Sequence, residues 1–356
     1  MIRWVIFIGN LFLFQAAIYA QSINIKLGSS AAYLLPHHSD MSHLYSHVYL
    51  YSLDCVLPIV DYSNTKITKR SIGVNTTFYD INNEILGKGI SVGINYQNRL
   101  YAFSNNSRLE MKLTMGLGYL TKKYSYTLNP QNNAIGSKFN GSMKASVSMQ
   151  KQLSSDFFYS FEIGLAHFSN AAFRMPNLGI NIPFFEVAIG KSLKYKKAMV
   201  QPRIDYGTSR NWSQHIALKL AGKTNNIDDN RLFIFPNIDY SLYYKYNSNS
   251  HLRFVTAFNF DPIYRYQKFV SLHNPNFSNV FENGISIGYQ TFFNRFGLIL
   301  DFGLYTYKPI KKLKSSYYER IGISYHLTKA IDFQLLLKAN KTTADYSEFG
   351  FTYCIY

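Results

Sequence analysis

The chain has 356 residues, of which 17% are aromatic and 16% charged, whereas about a quarter of the residues in a soluble globular domain are charged. We interpret the net charge of +17 as adaptation to anionic lipid headgroups rather than to nucleic acid, although a generally basic proteome would have the same effect. Two cysteines, Cys55 and Cys354, are too few for a disulfide scaffold and favour isolated thiols over one bridge.

The first twenty residues have the pattern of a secretory signal peptide. Arg3 precedes an apolar run that ends in small residues, so cleavage is expected between Ala20 and Gln21. No later stretch reaches the roughly 18 consecutive apolar residues that a membrane helix needs. We therefore expect residues 1–20 to be a signal peptide and residues 21–356 to leave the cytoplasm without a helical span.

A histidine-dense patch follows near the start of the predicted mature chain. It contains His37, His38, His43 and His47 together with Asp40, and imidazole and carboxylate groups are metal ligands. Their spacing matches no closed metal site, and the segment leads into an early strand. We therefore predict no metal.

Runs of about ten residues with alternating apolar and polar character recur along the chain, separated by polar turns. Clear examples are residues 107–117, 139–149, 231–245 and 349–355. This pattern, with the aromatic composition, predicts an all-β fold: a transmembrane antiparallel β-barrel of the outer-membrane type, with about 14 strands (range roughly 12 to 16). Residues 21–356 are expected to form a single outer-membrane β-barrel domain. The aromatic last strand resembles the signal by which bacterial barrels are recognised for outer-membrane assembly.

The strand predicted over residues 155–169 has a polar end on its apolar face. Its odd positions are apolar and should face lipid, and His167 and Ser169 continue that stripe. The connection before this strand is short and the one after it, residues 170–182, is long, which predicts that the pair lies at the outer leaflet. A hydroxyl beside an imidazole is the core of a nucleophile–base pair. Two interfacial polar residues that merely cap a strand are the alternative interpretation.

The stretch "HFSNAAFRMPNLGIN", residues 167–181, resembles the signature of the lipid A 3-O-deacylase (PagL) family, which consists of outer-membrane β-barrel esterases. The segments "GLGYLTKKYSYTLNPQNNAIGSKFN" and "LLPHHSDMSHLYSH" are similar to its longer Bacteroidetes-type relatives. The resemblance covers roughly residues 30–190. Because the best-known members are shorter, eight-stranded barrels, it assigns no role to residues 195–356.

The resemblance implies a role for each matching residue. It makes Ser169 the nucleophile, His167 the general base, Asn170 a residue that holds the site, and Asn177 part of the oxyanion hole with backbone N–H groups near Ala171 and Ala172. The implied substrate is lipid A of lipopolysaccharide in the outer leaflet. The implied reaction is hydrolysis of the ester that holds the 3-hydroxyacyl chain at the 3-position, with no metal or other cofactor.

One position departs from the family pattern. Shorter members have a glutamate fourteen residues after the histidine, where this chain has Asn181. Alternation keeps Asn181 on the face of the next strand that can reach His167, whereas Glu162 and Glu186 should point into the barrel. We therefore expect a site made of Ser169, His167 and Asn181. An asparagine can fix the tautomer of the imidazole but stabilises an imidazolium less well than a carboxylate does.

Positive side chains lie in the two long loops that are predicted on the outer side of the membrane, where His167 and Ser169 are also expected. Lys122, Lys123 and Arg174 are candidates for binding the phosphates of the substrate, and ordinary loop charges are an equally good interpretation. The main alternative function is a non-enzymatic barrel, a pore or structural protein, that retains the motif. An esterase for another outer-leaflet lipid is a third possibility. We predict no nucleic-acid partner, and the sequence leaves a homo-oligomer open.

Overall fold

The computed structural model describes residues 22–61, 66–194, 211–225, 227, 231–247, 249–265, 280–293, 295–309, 315–341 and 343–355. The expected signal peptide lies outside these residues. Within them, no helix has the length and apolar character needed to cross a membrane. The chain divides into two compact units, Met1–Asn170 with Asn177–Arg203 and Ala171–Pro176 with Ile204–Tyr356.

The first unit contains eight described antiparallel strands, which close into a barrel because β8 pairs with β1 from Lys194↔Ser22 to Phe184↔Ala32. The strands are β1 (Ser22–Tyr33), β2 (His47–Asp61), β3 (Lys66–Asp80), β4 (Lys88–Ser104), β5 (Ser107–Leu120), β6 (Phe139–Gln152), β7 (Phe157–Ser169) and β8 (Ile180–Lys194). A short 3₁₀ helix, Ser39–Leu44, lies between β1 and β2.

The second unit contains eight further strands in the described ranges, and β16 pairs with β9 to close a barrel of its own. These strands are β9 (Trp212–Thr224), β10 (Leu232–Asn247), β11 (Ser250–Phe260), β12 (Phe281–Phe293), β13 (Phe296–Tyr307), β14 (Tyr317–His326), β15 (Ile331–Asn340) and β16 (Thr343–Ile355). A second 3₁₀ helix spans Pro262–Arg265.

The predicted fold class is confirmed, and the sixteen strands found in the described residues lie at the upper end of the predicted range. The closure differs from the single barrel expected for residues 21–356. Because β1 occupies the free edge of β8, the first eight strands leave no unpaired edge onto which β9 could continue the same sheet.

Alternation along each strand separates an apolar outside from a polar interior. In β7, Ile163 is 62% exposed and Leu165 41% exposed, whereas Glu162 between Phe161 and Ile163 is buried. Glu162 and Glu186 point into the first barrel, as predicted. The ammonium group of Lys26 forms ion pairs with both, at 3.0 Å from Glu162 and 2.9 Å from Glu186. An eight-stranded barrel is just wide enough for side chains to fill its interior.

The end of the first barrel that holds the end of β7 is filled by an apolar cluster. Phe168, the inward neighbour of His167 and Ser169, packs edge-on against Tyr79 with ring centroids 4.9 Å apart. Met41 and Leu44 of the 3₁₀ helix belong to the same cluster. This packing fixes the last residues of β7 and therefore the side chains that alternate with Phe168.

The interior of the second barrel carries its own buried ion pairs. Lys219 contacts Asp239 at 2.6 Å and Glu348 at 2.7 Å, and Arg320 contacts the same two carboxylates at 2.9 and 3.2 Å. Both cysteines are free, as predicted.

Candidate active site

His167 and Asn181 face each other across the β7–β8 ladder. They are directly paired residues, so their side chains project from the same face of the sheet. The Nδ1 atom of His167 lies 2.6 Å from Oδ1 of Asn181. An amide oxygen can only accept a hydrogen bond, so the imidazole carries its proton on Nδ1 and has its lone pair on Nε2.

Ser169 is held by Asn177. The Nδ2 group of Asn177 donates to the Oγ atom of Ser169 at 2.9 Å, and its Oδ1 atom accepts from the backbone N–H of Asn170 at 2.9 Å. The side chain of Asn170 donates in turn to Oγ of Ser137 at 3.0 Å. Asn177 therefore contacts both Ser169 and the backbone of Asn170. The roles that the resemblance implies for Asn177 and Asn170 stay predictions.

The hydroxyl and the imidazole lie two residues apart on one strand. His167 is half-buried and continues the exposed stripe of Ile163 and Leu165, while Ser169 at the strand end is 7% exposed. Their alternation with the inward-pointing Phe168 puts both side chains on the outer face of the barrel wall. The predicted contact of the pair with lipid stays a prediction.

Ala171 and Ala172 follow this strand in an unusual backbone conformation. Their φ angles are +54° and +62°, in the left-handed region that residues with a Cβ seldom adopt. They belong to Ala171–Pro176, the short segment that groups with the second compact unit, and so does Arg174, whose side chain is exposed. The roles predicted for these three residues stay predictions.

Lys122 and Lys123 lie exposed in the long connection between β5 and β6. The ammonium group of Lys122 donates to the backbone carbonyl of Glu84 at 2.5 Å. The same connection reaches the site, because the N–H of Gly179 donates to the carbonyl of Ala134 at 3.0 Å. Phosphate binding by the two lysines stays a prediction.

Two residues in the site were not singled out by the sequence as members of it. His37 bonds through Nε2 to the carbonyl of Leu178 at 2.9 Å and through Nδ1 to Nδ2 of Asn181 at 3.0 Å. Gly179 has a φ of +83°, and a Cβ there would lie 2.9 Å from Cε1 of His167. The P-N-x-G spacing marks the glycine, but no pattern links His37 to a residue 144 positions later.

Two family models match the chain. The model for lipid A 3-O-deacylase (PagL) matches residues 51–191, and the model for the acyloxyacyl hydrolase C-terminal domain (PagL_C) matches residues 212–356. The first match ends within β8 and the second begins at the first residue of β9. No curated protein sequence matches the chain.

Among solved structures, the chain is similar to Neisserial surface protein A, with 13% identity over 49% of this chain and 97% of that one and a TM-score of 0.31. It is also similar to Salmonella typhi OmpF in complex with daunomycin, with 10% identity over 95% and 99% of the two chains and a TM-score of 0.20. A Rhodopseudomonas blastica porin variant has 5% identity over 94% and 99%, with a TM-score of 0.19.

The porin and surface-protein likenesses add nothing to the strand pairing described above. The family models, in contrast, span most of the described strands, from within β2 to within β8 and from β9 to β16, and the first of them includes residues 167–181. From these matches and the barrel fold, the chain belongs to the lipid A 3-O-deacylase (PagL) family of outer-membrane β-barrel hydrolases, which act on the acyl chains of lipid A.

Proposed function

We propose that the protein hydrolyses the ester that holds the 3-hydroxyacyl chain at the 3-position of lipid A, with Ser169 as nucleophile and His167 as general base. The observation that carries this proposal is the 2.6 Å hydrogen bond from Nδ1 of His167 to Oδ1 of Asn181. It fixes the tautomer in which Nε2 is unprotonated, the state that a general base requires.

The reaction proceeds by two acyl transfers. Nε2 of His167 accepts the proton of Ser169 as Oγ attacks the ester carbonyl carbon, and the imidazolium then gives that proton to the sugar oxygen that leaves. The acyl group remains bound to Ser169 as an ester. Water, deprotonated by the same imidazole, attacks this ester. The imidazolium then returns the proton to Oγ of Ser169, which releases the 3-hydroxy fatty acid and the free serine.

Asn177 supplies a donor where negative charge develops. Its Nδ2 group lies 2.9 Å from Oγ of Ser169, so it is close to any carbonyl carbon that Oγ attacks. Removing one such donor from a serine hydrolase typically costs about 10²–10³ in kcat. Backbone N–H groups near Ala171 and Ala172 are also proposed as donors to the oxyanion, and Asn170 is proposed to help hold the site.

The exposed apolar stripe that leads to the site suits a substrate that stays in the membrane. Leu165 and Ile163 precede His167 on the same outer face of β7. The ester of lipid A lies just below its sugar headgroup, so the lipid reaches this end of the strand by lateral diffusion. Lys122 and Lys123, in the connection between β5 and β6, and Arg174, in the connection between β7 and β8, are proposed to attract its phosphates.

Asn181 is expected to make the enzyme slower than a relative with glutamate. A carboxylate stabilises the imidazolium that forms during each transfer, and a neutral amide does so less well. In a serine protease the same change costs about 10⁴-fold in kcat, or roughly 5 kcal/mol.

Mass spectrometry of lipid A from cells that express the wild type or Ser169→Ala tests the proposal. We expect one 3-hydroxyacyl chain to be missing with the wild type alone, and fragmentation of the product should assign the loss to the 3-position. Ser160→Ala is a matched control, because Ser160 lies buried on the inward face of the same strand.

Identical lipid A spectra from the wild type and Ser169→Ala would contradict the proposal and favour a barrel without enzymatic activity. Lipidomics of the same strains addresses the third possibility. A serine-dependent loss of an acyl chain from phospholipid, with intact lipid A, would assign the site to another outer-leaflet lipid.

A further inference from the structure

An asparagine beside a catalytic histidine raises a problem that a glutamate does not. Both oxygens of a carboxylate accept hydrogen bonds, so either one selects the Nδ1–H tautomer of the imidazole. An amide has one accepting end and one donating end, and rotation by half a turn exchanges them. If Asn181 presented its NH₂ group, His167 would accept on Nδ1 and carry its proton on Nε2, where the base must be unprotonated.

His37 removes this ambiguity. Its Nε2 atom lies 2.9 Å from the carbonyl oxygen of Leu178, which can only accept, so the proton of His37 is on Nε2. Its Nδ1 atom therefore has a lone pair and lies 3.0 Å from Nδ2 of Asn181, which donates to it. This contact leaves Oδ1 as the end of Asn181 that faces His167.

The hydrogen bonds form one directed chain. His167 donates to Asn181, Asn181 donates to His37, and His37 donates to the carbonyl of Leu178. Reversal at any link would place two donors or two acceptors face to face. The backbone carbonyl is the one group in the chain that cannot change its role, so it sets the direction for the three side chains.

The backbone brings His37 to Asn181 from a distant part of the chain. Leu35 donates its N–H to the carbonyl of Asn181 at 2.8 Å, which fixes the segment after β1 against the start of β8. The side chain of His37 is exposed rather than packed in the apolar cluster of the barrel. Its truncation should therefore cost little folding free energy.

We propose that His37 is a positioning residue that orients the amide of Asn181 and thereby keeps Nε2 of His167 available as the base. This inference rests on the proposed function of His167 and deepens it. It explains how an asparagine serves at the position where shorter family members have glutamate. It also predicts that His37 matters only while residue 181 is an amide.

A double-mutant cycle tests this dependence with purified, full-length protein acting on lipid A in detergent micelles. We expect His37→Ala to lower kcat at least about tenfold with little change in KM. In an Asn181→Glu background the same substitution should change kcat less than about twofold, because a carboxylate needs no orientation. His38→Ala is the control, since His38 is exposed and its Nδ1 accepts from the N–H of Asp40 instead.

Two results would overturn the proposal. One is an unchanged kcat for His37→Ala, and the other is an equal loss in the wild-type and Asn181→Glu backgrounds, which would indicate a contact with substrate or a structural role. Heat-modifiable migration on gels checks that all five proteins, the four of the cycle and the His38→Ala control, are folded.

A spectroscopic measurement separates this inference from the proposed function. In protein labelled with ¹⁵N-histidine, the His167 signals should report the Nδ1–H tautomer in the wild type and a mixture of tautomers in His37→Ala. Unaltered signals would reject the role of His37 even if lipid A is deacylated. If the tautomer shifts but lipid A is never cleaved, the positioning holds and the proposed reaction fails.

Discussion

The position of one amide decides how the proposed site works. Asn181 was predicted from strand alternation to reach His167, and the structure places the two side chains within hydrogen-bond distance. Alternation predicted that the two side chains share a face, whereas their direct pairing depends on the register of β7 and β8. It could not predict His37, whose approach depends on how the chain between β1 and β2 folds over the start of β8.

Asn181→Ala should lower kcat at least about tenfold, because the imidazole loses the acceptor that fixes its tautomer. The comparison is Glu186→Gln, which alters a buried carboxylate that accepts from Lys26 inside the barrel. We expect the glutamine variant to lose stability but to keep its kcat per folded molecule. The folded fraction of each variant reports its stability, and the deacylation rate divided by that fraction gives its kcat. A larger loss of kcat in Glu186→Gln than in Asn181→Ala would mean that Glu186, rather than Asn181, supports His167.

Gly179→Ala tests the packing of the imidazole. The substitution forces a Cβ to within 2.9 Å of Cε1 of His167 at a φ of +83°, so the ring must move away from its partners. We expect a loss of activity of at least about tenfold. Gly87→Ala is the control, because Gly87 also has a positive φ, +72°, but meets Thr121 and Lys122 instead. Equal activity losses in the two variants would contradict a specific effect on the imidazole.

At the scale of a strand, the sequence predicted which face is polar but not how the polar groups pair. Lys26 in β1 contacts Asp54, Glu162 and Glu186, which come from three other strands of the first barrel. Glu162 and Glu186 point into the barrel, as their strand parity predicted. Their convergence on one ammonium group depends on the register of closure, and alternation carries no information about register.

Lys26→Met should destabilise the first barrel by about 3–5 kcal/mol, because three buried carboxylates lose a common cation. Lys88→Met is the matched control. The ion pair of Lys88 with Asp80 is largely exposed, and such pairs contribute about 0–1 kcal/mol. Urea unfolding of the two variants in the same detergent measures the difference. Equal midpoints would argue that Lys112, which also contacts Asp54 and Glu162, neutralises the cluster by itself.

At the scale of the whole chain, the repeating strands led to the prediction of one transmembrane barrel, whereas the described strands close into two. Sixteen alternating strands present the same pattern whether they form one cylinder or two. The deciding fact is that β8 pairs with β1 and β16 with β9, and these pairings lie more than a hundred residues apart in sequence. The boundary also separates the two family-model matches, which supports two independently closed units.

Cleavage between the two units should leave both barrels folded. We expect a protease site inserted between residues 203 and 204, at the boundary of the units, to yield two fragments that each remain heat-modifiable on gels. All hydrogen-bonded ladders of the described strands lie within one barrel or the other. Loss of β-structure in either fragment after cleavage would contradict independent closure.

The charged interiors of the two cylinders have a consequence for permeability. Buried ion pairs between lysine and carboxylate side chains lie in the lumen of the first barrel. The lumen of the second barrel contains those formed by Lys219, Arg320, Asp239 and Glu348. We infer that such buried pairs leave a hydrated solute no continuous water path through the described part of either barrel. Purified protein in a planar lipid bilayer should therefore show no ionic conductance, and cells should tolerate many copies of it without becoming sensitive to large hydrophilic antibiotics.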